Sequence, residues 1–68
     1  MTGNMMRVVN LSRHGYCYRA FFWDSKLTSL QVAEGRNRWK TLEPTANSSV
    51  CLRAIELFKQ GSSREYQP

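Results

Sequence analysis

One run of eight residues, Tyr16–Trp23, constrains the fold more than any other part of the chain. It reads YCYRAFFW, is rich in aromatic residues, contains no helix breaker and has turn residues on both sides, a pattern typical of a β-strand. Side chains of a strand alternate between two faces. Burying the unpaired guanidinium of Arg19 would be costly, so we expect its face to be open and Tyr18, Ala20 and Phe22 to be buried.

This assignment has consequences for the neighbouring aromatic side chains. It exposes Phe21 and Trp23 beside Arg19, and exposed aromatic residues this close together are typical of a binding surface. The rival assignment buries Cys17, Phe21 and Trp23 and bends Arg19 outward at an edge. A small two-layer domain leaves both assignments open.

Two further strands are predicted on either side of this run. Residues 7 to 11 contain a β-branched pair, and in residues 27 to 32 apolar and polar residues alternate, as in strands with one buried face. Residues 12 to 15 and 24 to 26 are rich in turn formers. The sequence therefore predicts an antiparallel meander with the aromatic run in the middle.

A helix follows from near Thr45. Apolar residues recur there at spacings of three and four, from Val50 to Phe58, which is the helical period. Thr45 or Asn47 can cap its N-terminus, and Gly61 is a natural residue to follow its C-terminus.

The segment between the third strand and the helix is ambiguous. Residues 36 to 42 could continue the third strand after a bulge at Gly35, form a fourth strand, or form a loop. If the segment is extended, Arg36, Arg38 and Lys40 share one face and Trp39 lies on the other. We expect Trp39 to be a core residue at the edge of the sheet.

These elements define an α+β fold. In a chain of 68 residues, one helix and one sheet have only each other to pack against. We expect a small antiparallel sheet of three, or four, strands with one C-terminal helix packed on one face. The predicted organisation is a flexible lead-in over residues 1–6, a single domain over 7–60 and a flexible tail over 61–68.

Several classes of function have no support in the residues. The single histidine, His14, lies in a turn, and the glycines are isolated, so we expect no enzyme activity, no metal site and no cofactor. No run is long and apolar enough for a membrane helix or a secretory signal, and we expect a cytoplasmic protein. Cys17 and Cys51 are expected to be small buried hydrophobes, although a bridge between them stays open.

Charge points to the kind of partner. Ten Lys and Arg against five Asp and Glu give a net charge of +5, which attracts polyanions or acidic protein surfaces. Guanidinium groups bind phosphates and base edges, and aromatic rings stack on bases. The candidate binding residues are Arg13, Arg19, Phe21, Trp23, Lys26, Arg36, Arg38 and Lys40.

The order of a sheet followed by a helix carries a family resemblance. Gly15, the run Tyr18-Arg19-Ala20 with Trp23, then Gly35, Thr41-Leu42 and a helix containing Ala54 resemble AP2-type DNA-binding domains and the arm-binding domains of phage integrases. The resemblance covers about residues 7 to 60. It implies a three-stranded sheet lying in the major groove, with Arg19, Trp23 and Arg38 facing the groove.

Together these observations predict a small basic nucleic-acid-binding protein, with DNA favoured, that binds through the open sheet face. The resemblance implies an accessory or regulatory protein of the kind carried by phages and mobile elements. The alternative is a small phage-type inhibitor or adaptor that grips an acidic surface of a host protein, because Trp, Tyr and Arg are also enriched at protein interfaces. Homodimerisation through an edge strand is compatible with either function.

Overall fold

The computed structural model describes residues 6–45 and 48–66, and it confirms the α+β class. Within these residues, a five-stranded antiparallel sheet in the order β4-β3-β2-β1-β5 carries one helix. The elements are β1 (Met6–Arg13), β2 (Tyr16–Trp23), β3 (Lys26–Ala33), β4 (Trp39–Leu42), α1 (Ser49–Lys59) and β5 (Arg64–Glu65). Of the predicted lead-in over residues 1–6, residues 1–5 lie outside the described residues, and Met6 begins β1.

Both predicted hairpins have two-residue turns. His14 and Gly15 join β1 to β2 with φ of 54° and 80°, and Asp24 and Ser25 join β2 to β3 with φ of 54° and 69°. Positive φ at both central residues defines a type I′ turn, whose twist matches that of the flanking strands. These turns place the β1–β2 hairpin at what we call the upper end of the sheet and the β2–β3 hairpin at the lower end.

The turn geometry predicts opposite effects for two substitutions. Ser25 adopts a positive φ that costs an L-residue about 1 to 2 kcal/mol, and the entropy that glycine loses on folding offsets part of this cost. Ser25→Gly is therefore expected to stabilise the fold by about 0.5 to 1 kcal/mol. Gly15→Ala is expected to destabilise it by about 1 to 2 kcal/mol, although no atom within 4 Å would meet the added methyl group. Urea unfolding of both variants checks this, and equal shifts of the same sign would contradict it.

A β-bulge decides which residues of β3 face the helix. The register shifts between Phe21 and Phe22, which pair with Ser29 and Leu27 and leave Thr28 as the extra residue. Its hydroxyl donates to the Phe21 carbonyl over 3.2 Å. Because a bulge reverses the alternation of side chains, Leu27 packs on the same side of the sheet as Leu30 and Val32 rather than on the opposite one.

The ambiguous segment divides into a loop and a fourth strand. Residues 34 to 38 form a tight loop at the upper end, closed by a 2.9 Å hydrogen bond from the Glu34 amide to the Arg38 carbonyl. β4 then pairs with β3 from Trp39↔Ala33 to Leu42↔Leu30. Of the three basic residues expected on one strand face, Lys40 alone lies in the strand, since Arg36 and Arg38 belong to the loop.

The helix is capped by Ser48, which follows both predicted candidates, Thr45 and Asn47. Ser48 is the N-cap, and its hydroxyl accepts the Cys51 amide over 3.4 Å, whereas Thr45 lies before the cap and Asn47 lies outside the described residues. The C-terminal prediction is confirmed. Gly61 has a φ of 83°, and the amides of Gly61 and Ser62 donate to the carbonyls of Phe58 and Leu57, which is a Schellman motif.

The core lies between the helix and the sheet and confirms the first assignment of faces. Val9, Ala20, Phe22 and Leu30 of the sheet and Val50, Cys51 and Ala54 of the helix form one buried cluster. Ala20 is completely buried, and its small side chain allows the helix to approach the sheet closely. The ring of Phe22 stacks on that of Phe58, with centroids 4.3 Å apart.

The chain after the helix returns to the sheet, where the sequence predicts a tail without regular structure. Arg64–Glu65 form β5 and pair with Val8 and Arg7 at the edge of β1. The Arg7 guanidinium donates to the hydroxyl and the carbonyl of Ser63 over 2.7 and 2.9 Å, and the Tyr66 amide donates to the Met6 carbonyl. These backbone and long-range contacts supply the order that local sequence lacks.

Candidate functional site

The sheet face away from the helix, here called the open face, carries the residues with binding chemistry. Arg19 and Trp23 of β2, Lys26 and Gln31 of β3 and Trp39 of β4 all lie on it, as the strand registers show. Short polar side chains lie on the same face, namely Asn10 and Ser12 of β1, Ser29 of β3 and Thr41 of β4. The open face is therefore a broad surface of small polar groups with a few large planar ones.

Arg19 makes cation–π contacts with two aromatic rings in the middle of this face. Its guanidinium carbon lies 4.1 Å from the centroid of the Trp39 ring and 5.4 Å from that of Phe21. Cation–π contacts of this kind hold a planar cation against a ring face. Trp39 is still 38% exposed, so this contact leaves part of its ring available to a ligand.

Two residues of β3 make this stacking possible. Trp39 pairs with Ala33, whose small side chain lets the indole ring lean across β3 toward β2. Gln31, directly beside Arg19, accepts a hydrogen bond from the Arg19 Nε over 2.6 Å. In the described part of the chain, no other side-chain acceptor binds this guanidinium, so its two terminal nitrogens keep donors for a ligand.

Phe21 lies on the open face, but the prediction that it is exposed was wrong. Phe21 is 5% exposed, because Tyr66 packs edge to face against it with ring centroids 4.9 Å apart. The side chain of Val8, beside Phe21, is buried as well. The segment after the helix thus covers the lower part of the face next to β1 and leaves the part near Trp39 and Trp23 open.

Trp23 and Lys26 form the lower corner of the same face. They pair directly across the β2–β3 hairpin, and Trp23 is 41% exposed. This exposure agrees with the prediction from the alternation of β2. The corner adds a second accessible ring and a cation at the end of the sheet opposite the Arg36–Arg38 loop.

The eight candidate residues do not form one cluster. Arg13 lies on the helix side, where its Nε donates to the Ser49 hydroxyl over 3.0 Å, and Lys40 pairs with Val32 on that side as well. Arg36 and Arg38 are exposed in the loop that leads into Trp39. The open face therefore gathers Arg19, the buried Phe21, Trp23 and Lys26, with Arg36 and Arg38 at its upper end.

Three contributors were missed or misplaced by sequence reasoning. Trp39 is not the expected core residue, because β4 turns it onto the open face. Gln31 and Tyr66 gave no signal of their own. The position of Gln31 beside Arg19 could have been found by aligning residues 18 to 21 with 29 to 32 as antiparallel neighbours, but the return of Tyr66 could not.

The two cysteines lie on opposite sides of the sheet and do not form a bridge. Cys51 is buried in the core, as predicted, but Cys17 is exposed on the open face, so the prediction that both are buried was wrong for Cys17. Its sulfur lies 3.8 Å from the Ser12 hydroxyl. Among the described residues there is no group of three or more potential metal ligands.

Within residues 6–45 and 48–66, no helix has both the length and the apolar character needed to cross a membrane. No family model, curated protein or solved structure matches the chain. The likeness to AP2-type and integrase arm-binding domains therefore stays a prediction.

Proposed function

We propose that this protein binds nucleic acid through the open face of its sheet and the adjoining Arg36–Arg38 loop. The observation that carries the proposal is the stacked arrangement of Arg19 and Trp39. A guanidinium with free terminal donors lies beside an accessible indole ring, and phosphates and bases are the ligands that such a pair suits.

The distribution of charge supports the same partner. The net charge is +5, and in the part of the chain that the structure describes the one ion pair joins Arg53 to Glu56 on the helix. Within the described residues, the basic side chains of the open face and its loop thus form no ion pair with a carboxylate. Such a surface attracts a polyanion at long range.

We propose that the protein acts as an accessory or regulatory factor. The sequence resemblance favours DNA as the polymer that it binds. The competing candidate is an acidic protein surface. Exposed Trp23, 41% accessible beside Lys26, is the observation that favours it, because a tryptophan next to a cation is a common interface anchor.

The test is fluorescence anisotropy of labelled duplex DNA, single-stranded DNA and RNA, titrated with the protein at several salt concentrations. Log affinity falls with log salt, and Arg36→Ala/Arg38→Ala is expected to make this slope shallower by about 0.7 to 0.9 per lost phosphate contact. Arg53→Ala/Lys59→Ala removes the same charge from the exposed side of the helix and should leave the slope close to that of the native protein.

The outcomes separate the two candidates. Binding that weakens with salt, and weakens further in the loop variant but not in the helix variant, supports the proposal. An equal loss in both variants would mean that net charge alone drives binding and would contradict a site at the open face. No binding of any polymer at low salt would overturn the proposal in favour of an acidic protein partner.

A further inference from the structure

We infer that the ligand of the open face is a single strand of nucleic acid, with an unpaired base stacked on Trp39. This inference rests on the proposed function and names its substrate class. Three features of the face favour a single strand over a duplex, and they concern its width, the position of its arginine and the exposure of its rings.

The first feature is the width of the sheet. Five strands in the order β4-β3-β2-β1-β5, spaced about 4.8 Å apart, span about 19 Å between the outermost backbones. The major groove of B-DNA is about 12 Å wide. The whole face therefore cannot enter the groove as the three-stranded sheet of the resembling families does, whereas an unpaired strand can lie across it.

The second feature is the position of Arg19. An arginine that reads a groove must extend from the sheet to reach a base edge, but Arg19 is half-buried, held against Trp39 and Phe21 and bound to Gln31. The side chains around it, such as Asn10 and Thr41, are too short to reach a groove floor. Bases must instead come to the face, as those of a single strand can.

The third feature is the pair of accessible rings. Trp39 and Trp23 are 38% and 41% exposed and lie at the upper and lower ends of the same face. Bases stacked in a duplex have no free ring face to offer them, whereas unpaired bases do. Arg36 and Arg38 at the upper end and Lys26 at the lower end would then contact the phosphates on either side.

The experiment compares one oligonucleotide of about 12 nucleotides as a single strand, as a blunt duplex, and as an abasic strand with the same phosphates. The native protein is expected to bind the single strand at least tenfold more tightly than the duplex or the abasic strand. Duplex binding as tight as single-strand binding would overturn this inference and leave the proposed function standing. Failure of all three to bind would overturn both.

A second measurement tests the stacked base directly. The chain has two tryptophans, so Trp23→Phe leaves Trp39 as the one tryptophan. With excitation selective for tryptophan over tyrosine, the single strand should quench the Trp39 emission while the abasic strand does not. Quenching by neither strand, with binding intact, would overturn the inference.

Matched substitutions at Trp39 separate stacking from folding. Trp39→Leu keeps an apolar side chain without a ring face and is expected to lower single-strand affinity by about 5- to 150-fold. Trp39→Phe keeps a ring and should restore most of the affinity. Both variants are checked by circular dichroism and urea unfolding, and equal affinities for folded Leu and Phe variants would contradict a stacked base.

Discussion

Phe22→Ala is expected to remove most of the stability of this protein. Phe22 is 1% exposed, belongs to the buried cluster under the helix and stacks on Phe58. Truncating a buried phenylalanine costs about 3 to 5 kcal/mol, through lost burial and the cavity left behind. A chain of this length has a free energy of unfolding of roughly 3 to 10 kcal/mol in total.

Chemical denaturation followed by circular dichroism measures this effect, and the next residue provides the control. Trp23→Ala removes a larger ring, but from the open face, where 41% of it is already exposed, so its cost is expected to be about 1 kcal/mol or less. Phe22→Leu, which keeps most of the volume, should be intermediate and folded. A cost for Trp23→Ala equal to that of Phe22→Ala would contradict the assignment of faces.

Arg19→Ala is expected to weaken nucleic-acid binding by about 10- to 100-fold, the value of a lost charge-assisted hydrogen bond. The substitution removes the free guanidinium donors and also the group that stacks on the Trp39 ring. Lys59→Ala, which removes one positive charge from the exposed side of the helix, should have a much smaller effect.

Arg19→Lys distinguishes geometry from charge. Lysine keeps the positive charge but has neither the planar group that stacks on Trp39 nor the Nε that binds Gln31, and the two residues are not interchangeable at a stacked site. We therefore expect Arg19→Lys to recover only a small part of the affinity, as measured by anisotropy at fixed salt. Full recovery would show that Arg19 acts as a charge alone.

The proposed function and the inference of a single-stranded ligand assign two properties to different residues, namely the salt dependence of binding and the preference between single strand and duplex. Substitutions in the Arg36–Arg38 loop change the salt dependence of binding to every polymer, because phosphates are common to all of them. Substitutions of Trp39 change the preference between single strand and duplex, because stacking needs an unpaired base. Measuring both properties in the same variants keeps the two proposals separable.

Local pattern was a reliable guide to the parts of the fold where each residue's preference agrees with its surroundings. β2 was predicted with its observed bounds, Tyr16–Trp23, because eight strand-favouring residues lie between two turn sequences. The faces of that strand followed from Arg19, since a charged side chain in mid-strand costs too much to bury under a helix. Gly61 marked the helix end for a similar reason, its positive φ.

Prediction of the site was weaker because distant segments build it. Nothing near Phe21 in the chain indicates that Tyr66 covers it, and nothing near Trp39 indicates that Arg19 stacks on its ring. The basic residues of the sheet half were predicted to act as one binding group, but the strand registers divide them between the two sides of the sheet. Pairing across strands, and not sequence distance, determines which side chains meet.

The sequence by itself determined the α+β class, the central strand and the positions of the two hairpin turns, and it favoured the observed side of the sheet for the helix over the rival one. Each of these depends on local conformational preference or on the cost of burying one charge. Only the tertiary structure decided that residues 64–65 return as β5, that a bulge brings Leu27 to the core, and that Trp39 and Gln31 position Arg19. Those features depend on hydrogen bonds and packing between segments far apart in the chain, which leave no periodic signal in the residues that form them.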